Sequence, residues 1–211
     1  MGVYLLVSGI RNLFVSHGKQ VFLFFDLIRG ATVMHIKAEI MDANAIDRSI
    51  ARITYEILEK NKGTAGLCIV GIYTRGAQIA KRVAAKIKEI EGTDVEIGFL
   101  DITPYRDDRQ GKAPAKPASH IPFSLEGRTV ILMDDVMYTG RSVRAAIDGL
   151  FTFGRPQCIQ LAVLVDRGHR ELPMRADYVG KNLPTSKAEA VKVFLKEVDG
   201  ESKVVIYEED V

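Results

Sequence analysis

Four nearly continuous apolar runs, LCIVGI, VEIGFLDI, TVILMDD and CIQLAVLVD, constrain this chain more than any other feature of it. A strand with one wet face alternates apolar and polar residues, whereas a strand apolar at almost every position must be covered on both sides. The segments between the runs supply the cover. AQIAKRVAAKIKEIEG and RSVRAAIDGLFTFG have helical periodicity, and upstream of them Ile46, Ile50, Ile53 and Ile57 recur at three- and four-residue spacing. Asp42 or Asn44 caps that first helix, which ends near Gly63. The expected fold class is α/β, a parallel sheet with helices on both faces. Two later runs, AVKVFLKEV and KVVIYE, do alternate and predict an edge or appended strand pair.

With 211 residues, 47% of them hydrophobic, the chain can bury one full core, and a single domain is expected over residues 34–211. Residues 1–33 carry no motif. Arg11, Lys19 and Asp26 interrupt their apolar clusters, so they make neither a membrane span nor a secretory signal. They read as an N-terminal extension of no assigned role, for which an upstream start codon and a non-native origin are one explanation. A formal net charge of +2 excludes a protein that coats nucleic acid, though a local basic face remains open. Cys68 and Cys158 lie in apolar runs with no second Cys or His at ligand spacing, so both are expected to be buried thiols, which fits a reducing cytoplasm.

In a parallel sheet ligands bind beyond the carboxyl ends of the strands, so the residues leaving each strand matter most. Three exits stand out: Tyr73-Thr74-Arg75-Gly76, Asp134-Asp135 with the turn to Ser142, and Asp166-Arg167-Gly168-His169-Arg170. All three should converge on one rim. The turn Thr139, Gly140, Arg141 and Ser142 opens a helix and presents amides and hydroxyls to a phosphate at the positive end of the helix dipole. Asp134 and Asp135 cannot hold that phosphate, but they accept hydrogen bonds from vicinal ribose hydroxyls or attract hydrated magnesium. Phosphate and diol together describe a ribose 5-phosphate.

VILMDDVMYTGRS resembles the phosphoribosyl pyrophosphate motif of type I phosphoribosyltransferases. The segments GIYTRG, DITPYRDD, LAVLVDRGHRELPMRADYVGKN and PTS, in that order, resemble more specifically the bifunctional family that joins pyrimidine operon attenuation to uracil phosphoribosyltransferase activity. The resemblance runs from about Lys37 to the C-terminus. It implies transfer of ribose 5-phosphate from phosphoribosyl pyrophosphate to uracil with Mg2+, giving UMP and pyrophosphate. Tyr138 stands where purine enzymes of this type usually carry an acid, which disfavours a purine substrate.

By the same resemblance Asp134 and Asp135 hold the ribose diol and the magnesium, and Thr74, Arg75 and Gly76 meet the pyrophosphate. Tyr138, Thr139, Gly140, Arg141 and Ser142 complete the ribose-phosphate site. The proline-rich stretch from Ile102 to Phe123 is a lid in which Tyr105, Arg106, Asp107 and Asp108 close over the pyrophosphate, with Arg106 catalytic alongside Arg75. The segment from Asp166 to Ser186 is a hood in which Tyr178 and Val179 stack on and pair with uracil. The implied partners also include uridine nucleotides (UMP and UTP), leader mRNA of the pyrimidine operon, and further copies of the chain in a dimer or tetramer; no membrane is implied. Basic residues on the first helix (Arg48, Arg52, Lys60) and in the hood (His169, Arg170, Arg175, Lys181) are candidates for RNA, and the RNA set implied is Arg52, Arg170, Arg175 and Lys181. An enzyme, an RNA-binding nucleotide sensor with little or no transferase activity, and both functions in one chain are the readings that the residues leave open.

Overall fold

The computed structural model describes residues 4–7, 10–14, 34–107 and 119–209. The apolar runs form β4 (Leu67–Ile72), β5 (Glu96–Leu100), β6 (Thr129–Met137) and β7 (Cys158–Asp166), joined by β8 (Tyr178–Asn182). All five are parallel neighbours in the order β5-β4-β6-β7-β8. β4 is buried along its whole length, as a run without polar alternation requires.

Helices α1 (Ala43–Asn61), α2 (Arg75–Glu91) and α3 (Arg141–Leu150) cover the sheet. The alternation of each strand sorts its side chains between two cores. Ile69, Ile131, Met133 and Leu164 join the buried faces of α1 and α2. Cys68, Val70, Leu132 and Val163 join Val143, Ala146 and Leu150 of α3. Ile46, Ile50, Ile53 and Ile57 are all buried, and each such side chain removed from water stabilises by about 1.5–3 kcal/mol. Asp42 is the cap: its carboxylate accepts from Ala45 N at 2.7 Å. The helix stops at Asn61, where Lys62 adopts φ 56° and Gly63 N returns to Leu58 O at 2.9 Å.

The alternating C-terminal runs form β9 (Glu189–Phe194) and β10 (Lys203–Glu209), linked by the short helix α4 (Lys196–Asp199). Their sheet has a third, antiparallel member, β3 (Met34–Met41), giving the order β3-β10-β9. Upstream of β3 lies an antiparallel pair, β1 (Tyr4–Val7) and β2 (Ile10–Phe14).

One expectation is corrected here. Cys68 is buried, and burial pushes its thiol up to about 11, but Cys158 is exposed. It is the first residue of β7, before that strand has entered the covered part of the sheet.

Candidate active site

β6 delivers the acid pair to the rim. Asp134 is buried and registers with Val163 of β7, while Asp135 is half-buried. Their Oδ1 atoms accept from the next backbone amides, Asp135 N and Val136 N, each at 2.9 Å, which fixes both side chains locally. Burial, and then the charge of Asp135, pushes the Asp134 carboxyl well above its ordinary range. Burial raises Asp135 as well, against the opposing pull of Asp134 and Arg75. Two carboxylates forced together in a desolvated corner are suited to a ligand that donates hydrogen bonds or carries positive charge.

Beside them, Gly140 takes φ +95° and lets the chain turn straight into α3. No side chain caps α3, nor α2, whose N-cap is Thr74, in contrast to the Asp42 cap of α1. Two uncapped helix N-termini flanking the acid pair are ready-made anion sites. Thr139 and Ser142 are half-buried, with Thr139 Oγ1 accepting from Arg141 N at 3.4 Å.

Thr74, Arg75 and Gly76 lie at the start of α2, and the Tyr73–Thr74 peptide is cis. The loop is pressed against the end of β6: a Cβ on Gly76 would stand 2.5 Å from Met133 O and 3.1 Å from Asp134 Cα. One on Gly71 would meet Ala77 Cα at 2.6 Å. Only glycines permit this approach of loop to acids. Arg75 points toward the C-terminal segment, where its Nε and Nη2 grip the two oxygens of Asp199 at 3.1 and 2.7 Å. Burial works against the Asp199 carboxylate, yet Arg75 and the Leu195 amide hold it below its ordinary range. Lys192, whose ammonium is depressed by burial and by Arg75, adds a second cation beside the loop. The sequence reading missed Asp199 and Lys192; both stand near the far end of the chain from Arg75, and no motif connects them.

At the third exit Asp166 pairs with Arg170, whose Nη1 also donates to Tyr138 O at 2.7 Å and whose Nε donates to Met174 O at 3.1 Å. Arg170 therefore ties the hood to the phosphate turn. Every nitrogen of it has an internal acceptor. His169 likewise turns inward, its Nε2 at 2.5 Å from Thr185 O. The hood and the ends of β7 and β8 enclose a cavity of about 310 Å³ whose lining includes Asp166, Arg167, His169, Asn182 and Thr185.

Tyr178 is not in that cavity. It is 3% exposed at the opposite end of β8, and its hydroxyl bonds Gln160 Oε1 and Asn61, so the stacking role predicted for it is corrected. Val179 registers with Val163 and packs into the α3-side core. Val179 therefore belongs to the sheet, as Tyr178 does; an apolar dipeptide at a strand start reads alike in either role.

Arg141 is exposed and bridges Asp107 at 3.1 Å and Glu171 at 2.8 Å. Tyr105, in the 3-10 turn Thr103–Tyr105, packs over Gly149 and meets Thr152 Oγ1 at 3.3 Å. Arg106 follows that turn, and Asp108, Lys112 and Lys116 lie outside the described residues. His120 is exposed and pairs through its backbone with Phe99.

Away from the rim, Arg48, Arg52 and Lys181 surround a groove of about 320 Å³ between α1 and β8. Arg52 is exposed, pairs with Glu56 at 2.6 Å and donates to Val179 O and Gly180 O. Arg175 is exposed on the hood, and Lys60 is paired with Asp177.

The phosphoribosyl transferase domain family matches residues 37–197. The protein named bifunctional protein PyrR in Pelotomaculum thermopropionicum is 58% identical over 174 residues, covering 82% of this chain and 96% of its own. The protein of the same name in Thermus thermophilus is 55% identical over 179 residues, covering 84% and 99%. The chain belongs to the PyrR family of phosphoribosyl transferase domain proteins. The crystal structure of a hypoxanthine phosphoribosyltransferase from Staphylococcus aureus superposes with TM-score 0.61 at 19% identity, covering 81% of this chain and 92% of that one. The Trypanosoma cruzi hypoxanthine enzyme gives 0.63 at 18% identity, covering 83% and 98%. At such identities these two establish the shared fold.

Proposed function

We propose that this chain transfers ribose 5-phosphate from phosphoribosyl pyrophosphate to uracil, and that it binds leader RNA of a pyrimidine operon under the control of uridine nucleotides. The observation that carries the transferase is the Asp134–Asp135 pair, buried at Asp134 and half-buried at Asp135, set between two uncapped helix N-termini. One N-terminus, at Gly140–Ser142, takes the 5-phosphate; the other, at Thr74–Gly76, takes the pyrophosphate; the acids between them accept from the ribose diol. Arg75 and Lys192 add positive charge where the leaving group accumulates negative charge. Arg106 and Asp107 begin the lid that excludes water from the activated ribose.

Two hard carboxylate oxygens suit a magnesium ion that keeps most of its ligands from water and substrate. Among the described residues no group of three or more His, Cys, Asp or Glu forms a cage. Asp134 and Asp135 would hold the ion with the substrate, and bound there it supplies neutralisation of the pyrophosphate.

The RNA surface rests on Arg48, Arg52 and Lys181 around the α1–β8 groove, together with the exposed Arg175 of the hood. Lys and Arg contacts to phosphate give salt-dependent affinity, while loop bases are read by stacking and hydrogen bonds. β8 serves both sites, since Lys181 lines the groove and Asn182 lines the hood cavity. Nucleotide binding is thereby coupled to RNA binding, by the same factor in both directions. A cytoplasmic location and assembly into dimers or tetramers accompany this reading; among the described residues no helix is long and apolar enough to cross a membrane.

Two assays test the proposal. Uracil, hypoxanthine, guanine and orotate are offered with phosphoribosyl pyrophosphate and Mg2+, and only uracil should turn over efficiently; efficient purine transfer would refute the specificity. Pyrimidine leader RNA is titrated into parent and Arg52→Ala protein at two salt concentrations, with and without UMP. Equal affinity throughout removes the regulatory half.

A further inference from the structure

Arg167 is a buried cation with no anion paired to it among the described residues. The residue is 6% exposed, and its guanidinium is held by neutral oxygens only. Nε donates to Thr185 Oγ1 at 3.1 Å, and Nη2 donates to Ser186 O at 3.1 Å and Glu189 O at 2.5 Å. The acids of the same segments are spent elsewhere: Asp166 on Arg170 and on Gly168 N, the Glu189 carboxylate on Lys37 and Ser186 N. A charge taken out of water without a counter-charge is costly to keep. The guanidinium carbon lies 4.1 Å from the centroid of the Tyr138 ring, which fixes the plane of the group and offsets part of that cost. These contacts lock the fork and leave Nη1 without a protein acceptor among the described residues. Arg167 also lines the hood cavity, next to the phosphate turn.

We infer that Arg167 reads the base: Nη1 donates a hydrogen bond to a ring carbonyl oxygen of the pyrimidine held in this cavity. The inference deepens the transferase reading and rests on it. A guanidinium has donors and no acceptor, so it favours a ring edge that carries oxygen. Where that oxygen is the one at C4, cytosine, with an amino group in its place, would set donor against donor. A fork immobilised at Nε, Nη2 and one face has already lost the freedom that recognition otherwise costs.

The test uses the full chain as parent, Arg167→Met and Arg167→Gln, with UMP and ribose 5-phosphate binding measured by calorimetry and uracil compared with 2-thiouracil and 4-thiouracil as substrates. Losing one hydrogen bond from a charged donor should weaken UMP binding roughly 10- to 100-fold while leaving ribose 5-phosphate binding nearly unchanged. Sulfur accepts poorly, so the parent should discriminate against one thio-analogue, and both variants should lose that discrimination; the analogue concerned identifies the oxygen. If the variants weaken UMP and ribose 5-phosphate equally and keep the thio-discrimination, Arg167 only braces the hood and the inference falls. Should Arg167→Met not fold, Arg167→Gln carries the same comparison. A parent that binds UMP but transfers nothing to uracil would sink the transferase reading, and the two calorimetric affinities would still judge Arg167.

Discussion

Adding one methyl group at Gly76 should disable the site without touching any polar side chain in it. The new Cβ would lie 2.5 Å from Met133 O, against the 3.4 Å of ordinary contact, so the loop or the end of β6 must retreat by about 0.9 Å. Neither partner is a flexible side-chain tip: one is the N-terminus of α2, the other the backbone that carries Asp134. The retreat therefore opens the distance between the Thr74–Gly76 loop and the acid pair. A misplacement of about 1 Å between reacting groups costs on the order of 100-fold in rate. Overpacking of this kind also costs about 1–3 kcal/mol of stability, or roughly 2–12 °C in melting temperature for a chain of this size. The assay is kcat/KM for phosphoribosyl pyrophosphate at saturating uracil, measured beside thermal unfolding of Gly76→Ala. If activity stays within about threefold of the parent while the melting temperature falls as expected, the loop-to-acid spacing does not govern the chemistry.

Asp134→Asn should unfold at higher temperature than the parent at pH 7, while uracil transfer collapses. A carboxyl raised by burial binds more protons folded than unfolded from about pH 4 upward, so parental stability falls as pH climbs through that window, and the advantage of Asn should vanish near pH 4. An unchanged or lower melting temperature at pH 7 would contradict this. Asp42→Ala should cost about 1 kcal/mol by uncapping α1, read as a lower urea midpoint at constant slope, with KM for uracil unaltered. Tyr178→Phe should lose about 1 kcal/mol, because Gln160 and Asn61 are left without the hydroxyl, yet keep the KM for uracil; a large rise in that KM would restore Tyr178 to the base site.

The covered sheet was legible because continuous apolar strands admit few other solutions, and the Asp134–Ser142 segment because its parts are contiguous and each has its own chemistry. β3 was missed: MHIKAEIM is short, and its partner β10 comes only at the C-terminal end of the chain. Asp199 was invisible for the same reason, since its meaning lies in a guanidinium from another element. Tyr178 failed differently. Whether a strand side chain faces a ligand, the solvent or the interior depends on strand phase and on competing acceptors that a single sequence does not display.

Lys181 and Asn182 are consecutive residues of β8, one on the basic groove and the other on the hood cavity. Because side chains alternate along a strand, inserting a single residue just upstream of them would exchange their faces, sending the ammonium toward the hood cavity and the amide toward the groove. Point substitutions can alter either surface alone, but a change in chain length within Tyr178–Asn182 damages both at once. A lineage that discarded one activity would be free to shorten or lengthen this strand, whereas one that keeps both is held to a single length there.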